Sequence, residues 1–380
     1  MTNIDASCPE FIQSSKVDVS SRSTSDVQLA YVTAEQWDTL ATEFEDIFHE
    51  QTAAFNMARW DGKRCEFVTV TRHGKIIGGA AIVVIPTPVF RTGLAILKWG
   101  PIWRKRDAEV NSDHLLLCLQ AIRDEFATRR NLFLTVMPRG EFQYSDIAVN
   151  HLRALGFTAG KPLPAPTRYL VNTDQTEEEL RKSLSQKWRY NLKKSEKNAF
   201  EVEFQKPADG LEPFLELYTT MLARKGFNDH SAIYTLRDFI ATAPAHFQPR
   251  FVFVRHNGKL CASGVVDICG DTAIYLYGAT SNEALELRAG YALHWAIVKT
   301  LCEDAKVKWY DLGGNDLDKG LHQFKSGFVG KSGELCDCPE IYHFSGSWLG
   351  GCLGRSVFAA RGFKQSVDKL LRRVKSWPKR

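Results

Sequence analysis

The chain has 380 residues, two to three times the usual length of one domain, which predicts two domains. Its composition, 44% apolar and 24% charged, is typical of a soluble globular protein. The longest apolar run, residues 80–85, is far shorter than the roughly 20 residues of a spanning helix, which argues against an integral membrane protein. Nine cysteines without regular spacing, and no signal-like start, lead us to expect free thiols and a cytoplasmic location.

The net charge of +5 is unevenly distributed along the chain. Residues 344–380 carry nine Lys or Arg against one acid, a balance of +8, so the remainder carries −3. This tail predicts an anionic partner, either a membrane surface or a nucleic acid. One face of its predicted helix is apolar and the other basic, so the helix either lies on an anionic membrane or docks on the body. The apolar face consists of Phe363, Val367, Leu370, Leu371 and Val374.

In chain order, residues 1–26 contain seven serines and are predicted to be a flexible leader. A β-hairpin pattern follows at 67–85, FVTVTRHGKIIGGAAIVVI, and it recurs at 251–269 as FVFVRHNGKLCASGVVDIC. The offset is 184 residues and five of nineteen positions are identical. Each hairpin precedes an apolar helix pattern and a strand. Although hairpins also resemble one another by chance, this shared order favours tandem copies of one α/β domain.

A boundary between the copies is predicted at residues 161–166, which contain three prolines. The predicted domains are therefore 27–166 and 167–343, with the tail at 344–380. A helix predicted at 177–198 places Leu180, Leu184, Trp188 and Leu192 on one stripe. Its other faces are basic, which suits either contact with RNA or simple exposure to solvent.

Candidate site residues cluster in the second copy. Tyr275 and Tyr277 alternate with apolar residues and are predicted to share one face of a strand. Arg288 stands where a helix begins and would strengthen anion binding there. Asp311 ends a strand and either lines a ligand crevice or caps its own turn. Lys325, between aromatics and glycines, is a candidate electrostatic stabiliser of an anion.

The segments YLYGATS, YALHWAIV, YDLGG and GLHQFKSGF together resemble the second domain of the FemAB peptidoglycan-bridge aminoacyltransferases, relatives of the GNAT acyltransferases. The likeness extends to LRKSLSQKWRYNLKKSEK and LYTTMLARKGF, and more loosely to FNMARWDGK and LKWGPIW, covering about residues 37–343. The resemblance implies an α/β (α+β) fold of two tandem GNAT-like domains, each a mixed sheet flanked by helices.

The resemblance also implies function and site residues. Family members use aminoacyl-tRNA as donor and a peptidoglycan precursor amine as acceptor. Lys325 would be the essential basic residue, and Phe324 would help to form the pocket. Four further positions fall where the family contacts its precursor's phosphates and peptide, with Lys63 the loosest match. These are Tyr275, Tyr277, Arg224 and Lys63.

The chain departs from the family pattern in ways that leave the donor open. It has no room for the helical arm of some members, and Arg288 begins only a fragment of the pyrophosphate loop of acyl-CoA-dependent GNAT enzymes. The donor is thus either aminoacyl-tRNA or acyl-CoA, the latter as in envelope or exopolysaccharide pathways. The acceptor is a lipid-linked or nucleotide-linked envelope precursor, and the tail would contact the inner face of the membrane.

No nucleophile elbow or His-Glu-x-x-His motif is present, and Cys336, Cys338 and His343 offer too few ligands, so neither a metal nor a bound cofactor is predicted. The sequence therefore favours direct attack of an amine on an ester or thioester, without a covalent enzyme intermediate. Lys325 would stabilise negative charge, and either Asp311 or the substrate would accept the proton. A catalytically silent RNA- or membrane-binding module is the alternative.

Overall fold

The structure is a computed structural model that describes residues 26–60, 62–87, 92–141, 143–163, 166–225, 231–314, 318–348, 350–352 and 354–356. All of the predicted leader except Asp26, and the predicted amphipathic helix at 363–374, lie outside the described residues. None of the described helices combines the length and apolar character that crossing a bilayer requires.

The first half of the chain builds a mixed sheet flanked by helices. Its strands are β1 (Val27–Val32), β2 (Cys65–Arg72), β3 (Lys75–Pro86), β4 (Gly93–Lys98), β5 (Leu132–Met137) and β6 (Thr158–Ala159). Its helices are α1 (Ala34–Ala41), α2 (Ala53–Trp60), α3 (Ser112–Ile122) and α4 (Ser145–Ala154). Strands β4 and β5 run parallel, whereas β1 to β4 pair antiparallel.

The second half repeats this plan. Its strands are β7 (Thr167–Asn172), β8 (Glu201–Gln205), β9 (Arg250–His256), β10 (Lys259–Cys269), β11 (Thr272–Thr280), β12 (Trp309–Asp311) and β13 (Glu334–Asp337). Its helices are α5 (Glu177–Ser183), α6 (Gln186–Ser195), α7 (Pro207–Lys225), α8 (Leu236–Thr242), α9 (Ala289–Cys302) and α10 (Lys319–Val329). Here β11 and β12 are the parallel pair.

The two predicted hairpins are β2–β3 and β9–β10, and both are confirmed. Each turns through two residues with positive φ, His73 (48°) and Gly74 (73°) in the first and Asn257 (49°) and Gly258 (75°) in the second. Such a turn matches the right-handed twist of the flanking strands. With the shared strand order, this confirms the predicted α/β fold of two mixed sheets flanked by helices.

The two sheets exchange a strand. The first has the order β1-β2-β3-β4-β5-β14-β6, where β14 (Tyr342–Phe344) follows the whole second half; the second has the order β13-β7-β12-β11-β10-β9-β8. After β6 the chain crosses to β7, and after β13 it crosses back to β14. The predicted boundary between residues 343 and 344 thus falls inside a strand of the first sheet. The sequence does not reveal this pairing, because distant residues decide which sheet so short a strand joins.

The helix predicted at 177–198 is two helices, so the prediction of one continuous helix is wrong. Leu184 adopts an extended ψ of 150°, and the Ser185 hydroxyl then caps α6 by accepting a hydrogen bond from the Trp188 amide at 3.2 Å. A serine in this position competes with helix continuation by offering the next helix its own N-cap. The predicted apolar stripe is nevertheless confirmed, since Leu180, Leu184, Trp188 and Leu192 are all buried.

Opposite faces of the second sheet are covered differently. Helices α5, α6, α9 and α10 cover the face that presents Val252 and Val254. Helices α7 and α8 cover the face that presents Phe251 and Phe253, and Phe55 from α2 of the first half joins this core. The two halves are therefore held together in part by a shared apolar core, whose burial favours association.

Candidate functional site

An opening in the second sheet separates its two parallel strands. Strand β11 pairs with β12 over Thr272–Ile274, opposite Trp309–Asp311, and then continues to Thr280 with β10 as its one strand partner among the described residues. Beyond Asp311 the chain leaves the sheet at Gly313, whose φ is 68°. The end of the short strand therefore leaves the β12-facing edge of β11 beyond Ile274 without a strand partner among the described residues, and ligands bind to α/β sheets at openings of this kind.

Lys325 projects from α10 to the end of β12. The Asp318 carboxylate caps this helix by accepting from the Leu321 amide at 2.7 Å. The Lys325 side chain is 8% exposed, and its ammonium donates to the carbonyls of Leu312 and Gly314. The loop after β12 thereby holds a positive charge at the opening.

Two aromatic residues that the sequence analysis did not single out form a buried pair in the core under α9, and one of them, His294, is affected by the charge of this lysine. His294, on α9, contacts the Tyr310 hydroxyl through Nδ1 at 3.0 Å, and both side chains are buried. Burial, assisted by the charge of Lys325, lowers the pKa of His294 to about 3, so its ring is neutral at physiological pH. The sequence contains a signal for each residue: His294 is a histidine within an apolar helix pattern, and Tyr310 is the neighbour of Asp311.

Asp311 faces away from this aromatic cluster. Its side chain is fully buried and forms an ion pair with Arg168 of β7, and Oδ1 accepts the Gly313 amide at 2.7 Å. Asp311 caps the turn that follows it, one of its two predicted placements, and it also lines a cleft between the halves. That it lines a ligand crevice stays a prediction. Arg168 was missed because nothing in its local pattern, TRYLVN, distinguishes it from an exposed strand residue.

Phe324 forms part of an aromatic floor beside Lys325. Its ring lies 5.0 Å from Tyr291, 5.4 Å from His294 and 5.8 Å from Trp188, measured between ring centroids. Phe324, Tyr291 and Trp188, together with Lys187, line a cleft of about 360 Å³ between α6, α9 and α10. The cleft thus combines flat apolar surfaces with a basic rim.

Tyr275 and Tyr277 do not share a face, so that prediction is wrong. Val265 pairs with Tyr277 and Val266 with Tyr275, which leaves Leu276 as the extra residue of a β-bulge. Tyr275 consequently packs with the core under α9, its ring 4.6 Å from His294, while Tyr277 packs with the core under α7. Burial raises the pKa of the Tyr275 hydroxyl.

The three remaining basic candidates lie at separate places, two beside the second sheet and one in the first half. Arg224, on α7, is exposed and donates to the Thr280 carbonyl (3.1 Å) and to Asn282 Oδ1 (2.6 Å), at the end of β11. Arg288 precedes α9 with a φ of 56° and donates to Asn191 Oδ1 at 2.9 Å. Lys63 is exposed in the short turn Gly62–Arg64 of the first half.

A second cleft, of about 300 Å³, lies between the two halves and is densely charged. Arg104 bonds Asp271 at 3.1 Å and Glu141 at 3.0 Å, and Arg139 also pairs with Glu141. Because basic and acidic groups alternate here, the arrangement neutralises itself. Within the described residues, no three His, Cys, Asp or Glu side chains are grouped in a way that could hold a metal ion.

Comparison with known proteins agrees with this architecture. The model of the FemAB family matches residues 32–242, and that of an acetyltransferase (GNAT) domain matches residues 180–326. A relative from Weissella viridescens, UDP-N-acetylmuramoylpentapeptide-lysine N(6)-alanyltransferase, is 29% identical over 167 residues, which is 41% of this chain. The match spans about half, 48%, of that relative.

Solved structures share the fold over most of the chain. The crystal structure of FemX superposes with a TM-score of 0.71 at 16% identity, covering 87% of this chain and 99% of FemX. The C-terminal domain of a putative lysylphosphatidylglycerol synthetase from Agrobacterium fabrum gives a TM-score of 0.52 at 15% identity, covering 85% and 96%. Since the matched FemAB segment exceeds half of the chain, the chain belongs to the FemAB family.

Proposed function

We propose that the protein transfers an aminoacyl group from aminoacyl-tRNA to an amine of a peptidoglycan-type precursor. The observation that carries this proposal is the buried ammonium of Lys325, held by two carbonyls at the mouth of the opening between β11 and β12. Family membership supports the reaction class. The Weissella viridescens relative, whose name specifies alanine transfer to a lysine N6 of a UDP-linked pentapeptide, supports a lysine-type amine as acceptor.

The chemistry requires little from the protein beyond placement and charge. The acceptor nitrogen bonds to the donor's carbonyl carbon, the ester C–O bond breaks, and the RNA ribose hydroxyl leaves with the proton that the amine loses. In this scheme Lys325 stabilises the oxyanion of the tetrahedral intermediate or the donor's phosphates. Holding amine and ester together supplies much of the acceleration. No resident metal or cofactor is invoked.

The cleft at Phe324 suits the adenosine end of such a donor. Flat rings of Phe324 and Tyr291 offer stacking surfaces for a base. The buried Trp188 indole N–H has no acceptor among the described residues, and a donor of this kind is satisfied by a ligand or water. Lys187 at the rim adds charge that favours phosphates.

The outer face of α6 extends this basic rim. Residues 186–195 contain four Lys or Arg and no acid, and Tyr190 is 57% exposed among them. The Lys194 ammonium lies 4.5 Å from the centroid of the Tyr190 ring. Cationic and aromatic groups interleaved in this way are suited to a nucleic-acid backbone, so we assign the acceptor stem of the donor to this face. Arg224 and Lys63, which are exposed, are assigned to the precursor, whereas Tyr277 is buried in the core under α7 and is not. The protein acts at the cytoplasmic face of the membrane.

The experiment combines charged tRNA or acyl-CoA donors with a panel of precursor amines and follows product mass. Aminoacyl product from charged tRNA is the expected result. Product from acyl-CoA alone would identify the protein as an acyl-CoA-dependent N-acyltransferase instead. Two observations support this second candidate, the GNAT-domain match and Arg288 at the start of α9. No product with any donor would favour a silent binding module.

Lys325→Ala is expected to lower kcat by about 10²- to 10³-fold, the usual cost of removing one electrostatic stabiliser. The matched control is Lys319→Ala, an exposed lysine on the same helix, which should leave the rate unchanged. Thermal unfolding of both variants excludes loss of fold as the cause. Full activity of folded Lys325→Ala would remove that residue from the proposed role.

A further inference from the structure

Asp311 and Arg168 lie on the side of the second sheet that faces the first half. Strands β7 and β12 are antiparallel, with Asp311 opposite Leu170 and Tyr310 opposite Val171. Because strand side chains alternate, Arg168, Leu170 and Asp311 line the charged cleft between the halves, whereas Tyr169 and Tyr310 face the core under α9. The Lys325 ammonium lies on this second side, 5.9 Å from the centroid of the Tyr169 ring.

A short chain of hydrogen bonds connects the two sides through the backbone. Asp311 Oδ1 accepts the amide of Gly313. The carbonyls on either side of that residue, those of Leu312 and Gly314, both accept from the Lys325 ammonium. Because the Leu312 carbonyl and the Gly313 amide belong to one planar peptide unit, anchoring the amide fixes the direction of the Leu312 carbonyl, one of the two that hold the ammonium.

The first half fixes the other end of this chain. The Arg168 guanidinium lies 4.9 Å from the centroid of the Phe48 ring and 4.3 Å from that of Trp99, and these two rings are 5.0 Å apart. Both aromatic residues belong to the first half, while Arg168 itself is on β7. Buried cation–π contacts of this kind restrain the guanidinium, which in turn restrains the Asp311 carboxylate.

We propose that Arg168 and Asp311 are positioning residues through which the first half of the protein holds the carbonyl cradle of Lys325 in place. The inference rests on the proposed function, since it concerns the geometry of that site. It makes Asp311 a support of the loop rather than the group that accepts the proton. It also means that the geometry of the site in the second half depends on contacts made by the first half.

The test compares Asp311→Ala, Asp311→Asn and Arg168→Met with Asp271→Asn. Asp271 is the control because it is also buried in the same cleft and pairs with Arg104, yet has no bond to the described residues of the loop after β12. Asp311→Ala and Arg168→Met should lower kcat by about 10- to 100-fold, since misplacement of a stabilising charge by about 1 Å has this cost, and change KM by less than about threefold. Asp311→Asn keeps an oxygen for the Gly313 amide and should recover part of the loss.

A double-mutant cycle with Lys325→Ala distinguishes positioning from general destabilisation. If Asp311 acts through Lys325, Asp311→Ala should lower the residual rate of Lys325→Ala by less than about twofold. A full, multiplicative loss in both backgrounds would overturn the proposal, as would equal losses in Asp271→Asn.

A second measurement does not depend on transfer activity. In protein labelled with ¹³C-lysine, the Cε resonance assigned to Lys325 by its absence in Lys325→Ala should shift in Asp311→Ala and Arg168→Met but not in Asp271→Asn. An unmoved resonance in the folded variants would refute the positioning role. A shifted resonance in a protein without transferase activity would instead refute the proposed function and leave the positioning of Lys325 standing.

Discussion

The parallel strand pair of each half makes the two halves comparable and shows where they differ. In the first half, β4 pairs with β5 along its whole length, from Gly93 opposite Leu132 to Lys98 opposite Met137. In the second, β11 pairs with β12 over only three residues of its nine and then diverges from it. One plan, duplicated, has therefore kept a closed sheet in one copy and an opening in the other, and Lys325 stands at that opening.

The difference extends to the hairpin strand beside the opening. Gly264, on β10, leaves room for the Tyr275 ring, because a Cβ atom at this position would lie 2.5 Å from Tyr275 Cε2. The corresponding position in the first hairpin, 184 residues earlier, is Ala80, which is fully buried. The second copy thus has glycine where the first has alanine, and the absent methyl group leaves space for the Tyr275 ring beside the bulge.

The largest effect on stability is expected from reversing that difference. Gly264→Ala should destabilise the fold by about 1–3 kcal/mol, because the added methyl forces the buried Tyr275 ring to move. Transfer should fall as well, since Tyr275 packs on His294 next to Lys325. Urea unfolding and initial rates measure the two effects.

Ala80→Gly is the matched control in the first half. It should cost about 1 kcal/mol through the lost methyl and added backbone freedom, without lowering the rate per folded molecule. Equal rate losses in both variants would contradict the view that only the second copy carries the site.

The second prediction concerns pH, to which one buried residue of each half should respond in opposite directions. His294 has a folded-state pKa of about 3 against 6.5 for an ordinary histidine, so the unfolded chain binds more protons between these values. Stability from this residue is therefore complete above pH 6.5 and is lost as the pH falls toward 3. His294→Gln should make the urea midpoint less sensitive to acidification from pH 7.5 to pH 5.

Asp46, in the first half, supplies the opposite slope. Burial raises the pKa of its carboxyl to about 7 from an ordinary 3.8, so the folded state binds more protons between these values and gains stability as the pH falls through them. Asp46→Asn should therefore increase the loss of stability on acidification. If both substitutions changed the sensitivity of the urea midpoint to acidification in the same direction, the contrast between the two residues would fail.

The smallest effect is expected at the basic face of α6. Lys193→Glu combined with Lys194→Glu should weaken tRNA binding by about 3- to 10-fold at physiological salt, with a shallower dependence on salt, because fewer counterions are released. Lys75→Glu, at the exposed tip of the first hairpin, is the control. Fluorescence anisotropy with labelled tRNA measures the change, and unchanged affinity in the double variant would relocate the acceptor stem to another surface.

The sequence was informative where a structure depends on near neighbours. Turn residues of both hairpins, the apolar stripe of residues 180–192 and the placement of Lys325 after the YDLGG strand were predicted from local patterns and are present. The combined motifs also pointed to the family that the comparisons establish. These features rest on turn chemistry and periodicity, which a short window of residues contains.

Sequence patterns failed where a single residue changed the register or the partner of an element. Leu276 inserts a bulge that sends Tyr275 and Tyr277 to opposite faces, and Ser185 divides a helix whose apolar stripe continues without a break. In both places the hydrophobic periodicity is compatible with the wrong answer. The competing geometry is stabilised by contacts with residues about 10 to 140 positions away, such as Val266 and Gly327.

By itself, then, the sequence determined the duplicated plan, the local elements and the lysine at the centre of the second copy. Only the tertiary structure decided that β14 returns to the first sheet, that β12 ends early enough to open the second, and that Arg168 reaches Asp311 beneath rings of the first half. The physical reason is the separation along the chain over which each kind of interaction acts. Backbone preferences act over a few residues, whereas strand exchange and buried ion pairs depend on surfaces that meet only after both halves have folded.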